Sequence, residues 1–160
     1  MDKTKVYIDT SVIGGCFNYF NYYSDILVDK FKNGLLIPVI SETVKEEIEE
    51  APLLVREKYN DILSYNAIYL NKSDDVENLA FEYLKRRLVA KKWQDDCFHI
   101  AFVTINKIDV LLSWNFRHIV NNDKINLFNF VNKELGLNPI VIKDPKDFLG
   151  YGKYDIKIKQ

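Results

Sequence analysis

The chain has 160 residues, 48% of them hydrophobic and 28% charged, with six glycines and four prolines. That composition is globular and long enough for one domain with its own core, and it excludes a disordered or low-complexity chain. A formal charge of −1 and a pI near 6.1 give no global attraction to nucleic acid, so any such contact has to come from a local basic patch or from metal ions.

Val6-Tyr7-Ile8 is an apolar run that stops at Asp9-Thr10-Ser11, the pattern of a buried strand running into a helix cap. Residues 11–32 then read as two helical pieces broken near Asn21. Leu35 to Ile40 reads as a second strand opened by Gly34, and Ser41 caps a helix that stops near Ala51-Pro52. A helix over 53–63 and a short strand over 67–70 follow. Asp74 and Glu77 form a capping-box pattern ahead of Val76, Leu79, Ala80, Tyr83, Leu84 and Leu88, which keep helical spacing. Further on come a helix over 95–106, a strand over 110–112, a helix over 123–135 ended by Gly136, a strand over 139–142 and a final turn at 145–148. Alternation of this kind predicts an α/β fold with a parallel sheet and helices on both faces. Residues 1–150 are expected to form the domain and 151–160 a charged tail. No run of about 18 apolar residues occurs, so the expected setting is cytoplasmic, without a membrane. Cys16 and Cys97 lack metal-ligand spacing and read as packed, reduced thiols.

Ligands of an open parallel sheet bind outside the carboxyl ends of its strands. Asp9 follows the first strand there, and Ser113 and Asn115 follow the fourth. In the helix after the second strand, Val44, Ile48 and Ala51 form the apolar stripe. Glu47 lies about 60° from Val44 on the wheel, at the rim of that stripe, whereas Glu42, Glu46, Glu49 and Glu50 point away. Asp96 opens a helix that is apolar almost all round, with Asp95 available as its cap and His99 on the same face as a core residue or a ligand. Asp9, Glu47, Asp96 and Asn115 would make an oxygen-only set, the chemistry of Mg²⁺ or Mn²⁺, with Ser11 and Ser113 behind them. Clustered carboxylates need a cation or raised pKa values, and with a metal the matching reaction is phosphodiester hydrolysis.

These residues also resemble a known family. The stretch Val6 to Val12 resembles the opening motif of PIN domains, the ribonuclease domains of VapC-type toxins. Ser41 with Glu47-Ile48 is similar to the second motif, Asp96 to Ala101 to the third, and Leu111 to Phe116 to the fourth. The resemblance implies a three-layer α/β/α domain with a central parallel sheet of four to five strands and an acidic metal pocket. It also implies endoribonuclease activity on RNA and, as toxin, an antitoxin partner. Ser113-Trp114-Asn115-Phe116-Arg117-His118 resembles a subgroup of these proteins. Asn115 stands where many members have a fourth Asp, which makes a silent module that binds RNA or a partner protein the alternative. A phosphatase using Asp9 as nucleophile would want a second Asp two positions on, where this chain has Ser11.

Two further features carry expectations. Phe17, Tyr19, Phe20, Tyr22 and Tyr23 crowd one segment and point to an interface, with a homodimer expected; Gly14-Gly15 beside them points to close helix approach. Lys85-Arg86-Arg87, with Lys91 and Lys92, is read as a solvated helix face, since three consecutive residues span about 200° of a wheel; phosphate contacts are the alternative.

Overall fold

The computed structural model describes residues 2–151. Five strands alternate with eight helices among these residues: β1 (Lys5–Ile8), α1 (Thr10–Gly15), α2 (Asn21–Lys32), β2 (Ile37–Ser41), α3 (Glu42–Glu49), α4 (Leu53–Leu63), β3 (Ile68–Leu70), α5 (Asp74–Lys85), α6 (Gln94–Asn106), β4 (Val110–Leu112), α7 (Asn122–Glu134), β5 (Ile142–Lys143) and α8 (Pro145–Phe148), with a 3₁₀ turn at Lys91–Trp93. All strand pairs are parallel, in the order β3-β2-β1-β4-β5. The central strands are apolar without alternation because both faces are covered: Tyr7, Ile8, Leu111 and Leu112 have no exposed surface.

This order places a topological switch between β1 and β4. The chain winds outward from β1 through β2 to β3, then crosses back through α5 and α6 to the other side of β1. No helix fills the crevice at such a point, so it is where open α/β sheets bind ligands. The register pairs Ile8 with Leu112, so the next residues along, Asp9 and Ser113, emerge side by side.

Several boundaries differ from expectation for identifiable reasons. Leu35 and Leu36 are not in β2; their N–H groups bond back to the Lys30 carbonyl and close the α2 turn, with Gly34 at φ +73°. Residues 139–141 do not form strand, because the Asn129 side chain takes both backbone groups of Ile140. Helix α5 is capped by Ser73, whose Oγ accepts the Val76 N–H, rather than by Asp74. It also stops at Lys85, short of Leu88. Arg87 takes φ +60°, and its N–H and that of Leu88 return to the carbonyls of Leu84 and Tyr83, the Schellman arrangement. Among the described residues, no helix is long and apolar enough to cross a membrane. Of the tail expected at 151–160, Tyr151 packs its ring against Tyr22 and Tyr23, and 152–160 lie outside the described residues.

The two adjacent glycines behave differently. A Cβ on Gly15 would come within 2.7 Å of Ser24 Oγ and 2.8 Å of Trp114 Nε1, two atoms already hydrogen-bonded at 3.0 Å, whereas a Cβ on Gly14 meets nothing within 4 Å. Gly15→Ala should therefore lower stability by about 1–3 kcal/mol through overpacking. Gly14→Ala should be neutral or stabilising by up to about 1 kcal/mol, since it only reduces the freedom of the unfolded chain. Urea unfolding of the two variants checks this, and equal effects would contradict the packing.

Candidate functional site

Asp9 leaves β1 at the switch point and is 3% exposed. Its Oδ1 caps α1 by accepting the Val12 N–H at 3.2 Å, and it also accepts the Ser11 hydroxyl at 2.6 Å. Its Oδ2 accepts the Ser113 hydroxyl at 2.5 Å. Both serines are fixed in turn: Ser11 Oγ accepts the Trp114 N–H and Ser113 Oγ the Asn115 N–H. The helix-cap role and the site role of Asp9 thus coexist in one carboxylate. Burial raises its pKa, against the lowering influence of His99 and the two hydroxyls.

Glu47 sits on α3 and turns inward, as the wheel predicts. Its Oε1 accepts the Thr10 hydroxyl at 2.8 Å and meets His99 Nε2 at 2.9 Å. Glu46 faces solvent and pairs with Lys72. His99 lies within α6, 2% exposed, with Nδ1 2.6 Å from the Tyr7 hydroxyl. Tyr7 in turn meets Ser41 Oγ at 2.7 Å, and that atom accepts the Val44 N–H at the start of α3. With His99 protonated the chain is consistent: the ring donates to Glu47 and Tyr7, and Tyr7 donates to Ser41. Desolvation works against that charge, but the hydrogen bond and charge of Glu47, with Asp9 and Asp96 behind it, raise the His99 pKa overall. Desolvation likewise pushes Glu47 up, and the His99 and Thr10 hydrogen bonds outweigh it, leaving the carboxyl below its usual range.

Asp96 stands in the first turn of α6. Its Oδ2 meets His118 Nδ1 at 3.0 Å, and its Oδ1 accepts the Asn115 amide at 3.4 Å. Burial raises its pKa, opposed by His99 and His118. Asp95, expected as the cap, makes no capping hydrogen bond; it faces the same cluster, its pKa raised by burial and then by Glu47.

Asn115 is placed differently from its expected role. Its Oδ1 accepts the N–H groups of Arg117 and His118, and because only an oxygen can accept from those donors, the amide cannot be turned the other way. Asn115 therefore turns its NH₂ toward Asp96 and closes its own turn with the oxygen it was expected to offer to a metal.

The sequence reading did not assign Tyr7, Thr10, Asp95 or His118 to the site, and left His99 open. The available signals were the spacing of His99, one helical turn after Asp96, and the place of His118 at the end of the Ser113-to-His118 motif. The donor set still suits a hard divalent ion, with three carboxylates and no thiol. As the side chains stand, among the described residues no three His, Cys, Asp or Glu groups are already drawn together around one point. Each carboxylate is engaged instead by serines, a threonine, an amide or a histidine.

No family model and no curated protein matches the chain in sequence. Its fold does recur in solved structures. One is the crystal structure of VapBC2 from Rickettsia felis bound to a DNA fragment from their promoter, at TM-score 0.54 and 13% identity over 88% of this chain and 98% of that one. Another is VapC20 of Mycobacterium tuberculosis, a toxin that cleaves the sarcin-ricin loop, at TM-score 0.54 and 16% identity over 70% of this chain and 91% of that one. The chain has the PIN-like α/β fold of these VapC toxins, a parallel five-stranded sheet flanked by helices.

Proposed function

We propose that this chain is an endoribonuclease that cleaves RNA phosphodiester bonds with Mg²⁺ or Mn²⁺ as cofactor. In this reading it is the toxin of a toxin–antitoxin pair, in the PIN subgroup carrying the Ser113-to-His118 motif. It acts in the cytoplasm as a homodimer, and an antitoxin protein is its partner. The observation that carries the reading is the gathering of Asp9, Glu47 and Asp96, from three separate elements, around the buried His99 at the β1/β4 switch point. The fold shared with a toxin that cleaves the sarcin-ricin loop supports the reaction class. A divalent ion, when bound, supplies activated water and charge neutralisation at the phosphate. The chain's own residues hold Asp9 between two serine hydroxyls, keep Glu47 against His99, and fix Asp96 against His118.

The test is a panel of RNAs incubated with purified protein, with and without Mn²⁺. Cleavage should require Mg²⁺ or Mn²⁺ and stop with EDTA; undiminished cleavage in EDTA overturns metal dependence. A second reading, a silent module that binds RNA or a partner protein, is favoured by the Asn115 oxygen and the site carboxylates already having partners. It is distinguished by RNA binding without any cleavage in Mn²⁺.

A further inference from the structure

The basic run after α5 does not form a solvated helix face. Because the helix ends at Lys85 and the backbone reverses at Arg87, the run divides. Arg86 turns away and pairs with Glu82 and Glu134. Lys85 and Arg87 join Lys91 from the 3₁₀ turn and Lys124 from α7 in lining one groove of about 730 Å³, floored by apolar residues including Phe81. Among the described residues no acidic side chain lines it. The ion pairs among the described residues leave Lys85, Arg87, Lys91 and Lys124 out; Lys124 donates to the Leu88 carbonyl. Four cations that make no ion pair among the described residues form a strong local feature on a chain of net charge −1.

Two observations connect this groove to the acidic site. Gln94 lines the groove and opens α6, whose first turn carries Asp96. Trp93, 39% exposed, has the Lys92 ammonium 5.2 Å above its ring, and the same ring lies 5.2 Å from that of His118, which holds Asp96.

We infer that this groove is the track for the backbone of a single-stranded RNA, with Lys85, Arg87 and Lys91 on consecutive phosphates and Trp93 stacking a base at the edge of the acidic site. The inference rests on the ribonuclease reading for the choice of RNA. The physical need is specific: a cluster of acids repels a polyanion, so the cations that hold it must stand beside the cluster. An unpaired cationic groove next to an exposed indole is the combination that binds single strands.

The test is fluorescence anisotropy with a labelled single-stranded RNA in EDTA, where binding is read without cleavage. Arg87→Gly combined with Lys91→Gln should weaken binding on the order of tenfold or more near 0.1 M salt and reduce the salt slope by about 1.4, two phosphate contacts at roughly 0.7 each. Arg87→Gly alone should unfold at or above the wild-type denaturant concentration, since glycine suits the left-handed φ there, so lost binding cannot be ascribed to lost fold. Lys32→Gln with Lys133→Gln removes equal charge elsewhere and should change binding by no more than about twofold. Trp93→Ala should weaken single-stranded RNA by roughly tenfold. Unchanged affinity in the Arg87/Lys91 variant overturns the groove, and does so even if the wild type cleaves RNA in Mn²⁺. Groove-dependent binding with no cleavage overturns the nuclease reading and keeps the groove. An acidic peptide that binds as tightly as the RNA, with the same variant sensitivity, overturns the RNA assignment in favour of an acidic protein partner. A duplex that binds as well as the single strand overturns the single-strand assignment.

Discussion

Asp9→Asn should lower metal-dependent RNA cleavage by at least about 100-fold, roughly 2.7 kcal/mol of transition-state stabilisation. Asp9 is the most buried of the site carboxylates and the one placed directly on the switch point. The substitution keeps its shape, and the amide oxygen can still accept the Val12 N–H and the Ser11 hydroxyl. The charge is gone, and the new NH₂ faces Ser113 Oγ, which already accepts the Asn115 N–H. The Ser113 hydroxyl then exchanges a short charged acceptor for Ser11 Oγ at 3.4 Å, a long hydrogen bond in a fully buried position, which costs up to about 1–3 kcal/mol. Removing a carboxylate whose pKa burial raises offsets part of that loss. The net stability change should be about 1 kcal/mol, small against the roughly 5–15 kcal/mol of a folded domain, so the activity loss is not unfolding. Glu47→Gln should also impair cleavage, and Glu46→Gln, on the solvent side, should not. Cleavage time courses in Mn²⁺ with parallel urea curves decide the matter. Wild-type cleavage by Asp9→Asn would remove this residue, and with it the proposed site.

His99→Leu should lower stability by about 2–3 kcal/mol near pH 6. That lies below the roughly 3–5 kcal/mol of breaking a fully buried pair, because Glu47 is 30% exposed and water can reach it. The loss should also depend on pH in a defined direction. The His99 pKa is raised above its ordinary 6.5, so its stabilisation is fully present below about 6.5 and fades as pH rises through the folded value. The Glu47 pKa is lowered from 4.5, so its share is present above about 4.5 and is lost only as pH falls. The pair is therefore strongest between these two values. Asp9, Asp95 and Asp96 have raised pKa values, so their ionisation erodes stability as pH climbs from about 3.8 upward, ahead of His99. As pH rises from about 6.5 through the raised folded value, the wild type should lose stability relative to His99→Leu, and the two curves should converge. Urea unfolding across that range reads it directly. A wild type that gains stability over the variant as pH rises would show that His99 is not charged beside Glu47.

Local pattern alone was enough for part of this protein. The unbroken apolar runs at Val6–Ile8 and Val110–Leu112 mark buried parallel strands, because a strand covered on both faces has no polar side to show. Ser41 announced its own cap, since a hydroxyl before a helix satisfies a free N–H through contacts only three residues long. The inward turn of Glu47 came from the 3.6-residue period of one helix. Asp9 was legible as a strand end, and its two serine partners as neighbours of the strand ends. What depended on distant residues was not legible. The strand order, and with it the switch point, is set by how helices pack across the sheet. His99 could be core or ligand until Tyr7 and Glu47, from β1 and α3, closed on its two nitrogens. The amide of Asn115 was expected, from its place after the fourth strand, to offer its oxygen to a metal, whereas the turn it begins directs the Arg117 and His118 N–H groups at that oxygen. The basic run gave the opposite lesson: a wheel assumes the helix continues, and a left-handed φ at Arg87 ends it and gathers charges the wheel had spread. Periodicity carries what one element decides for itself, and the direction of a buried polar group is decided by whichever partner the fold brings to it.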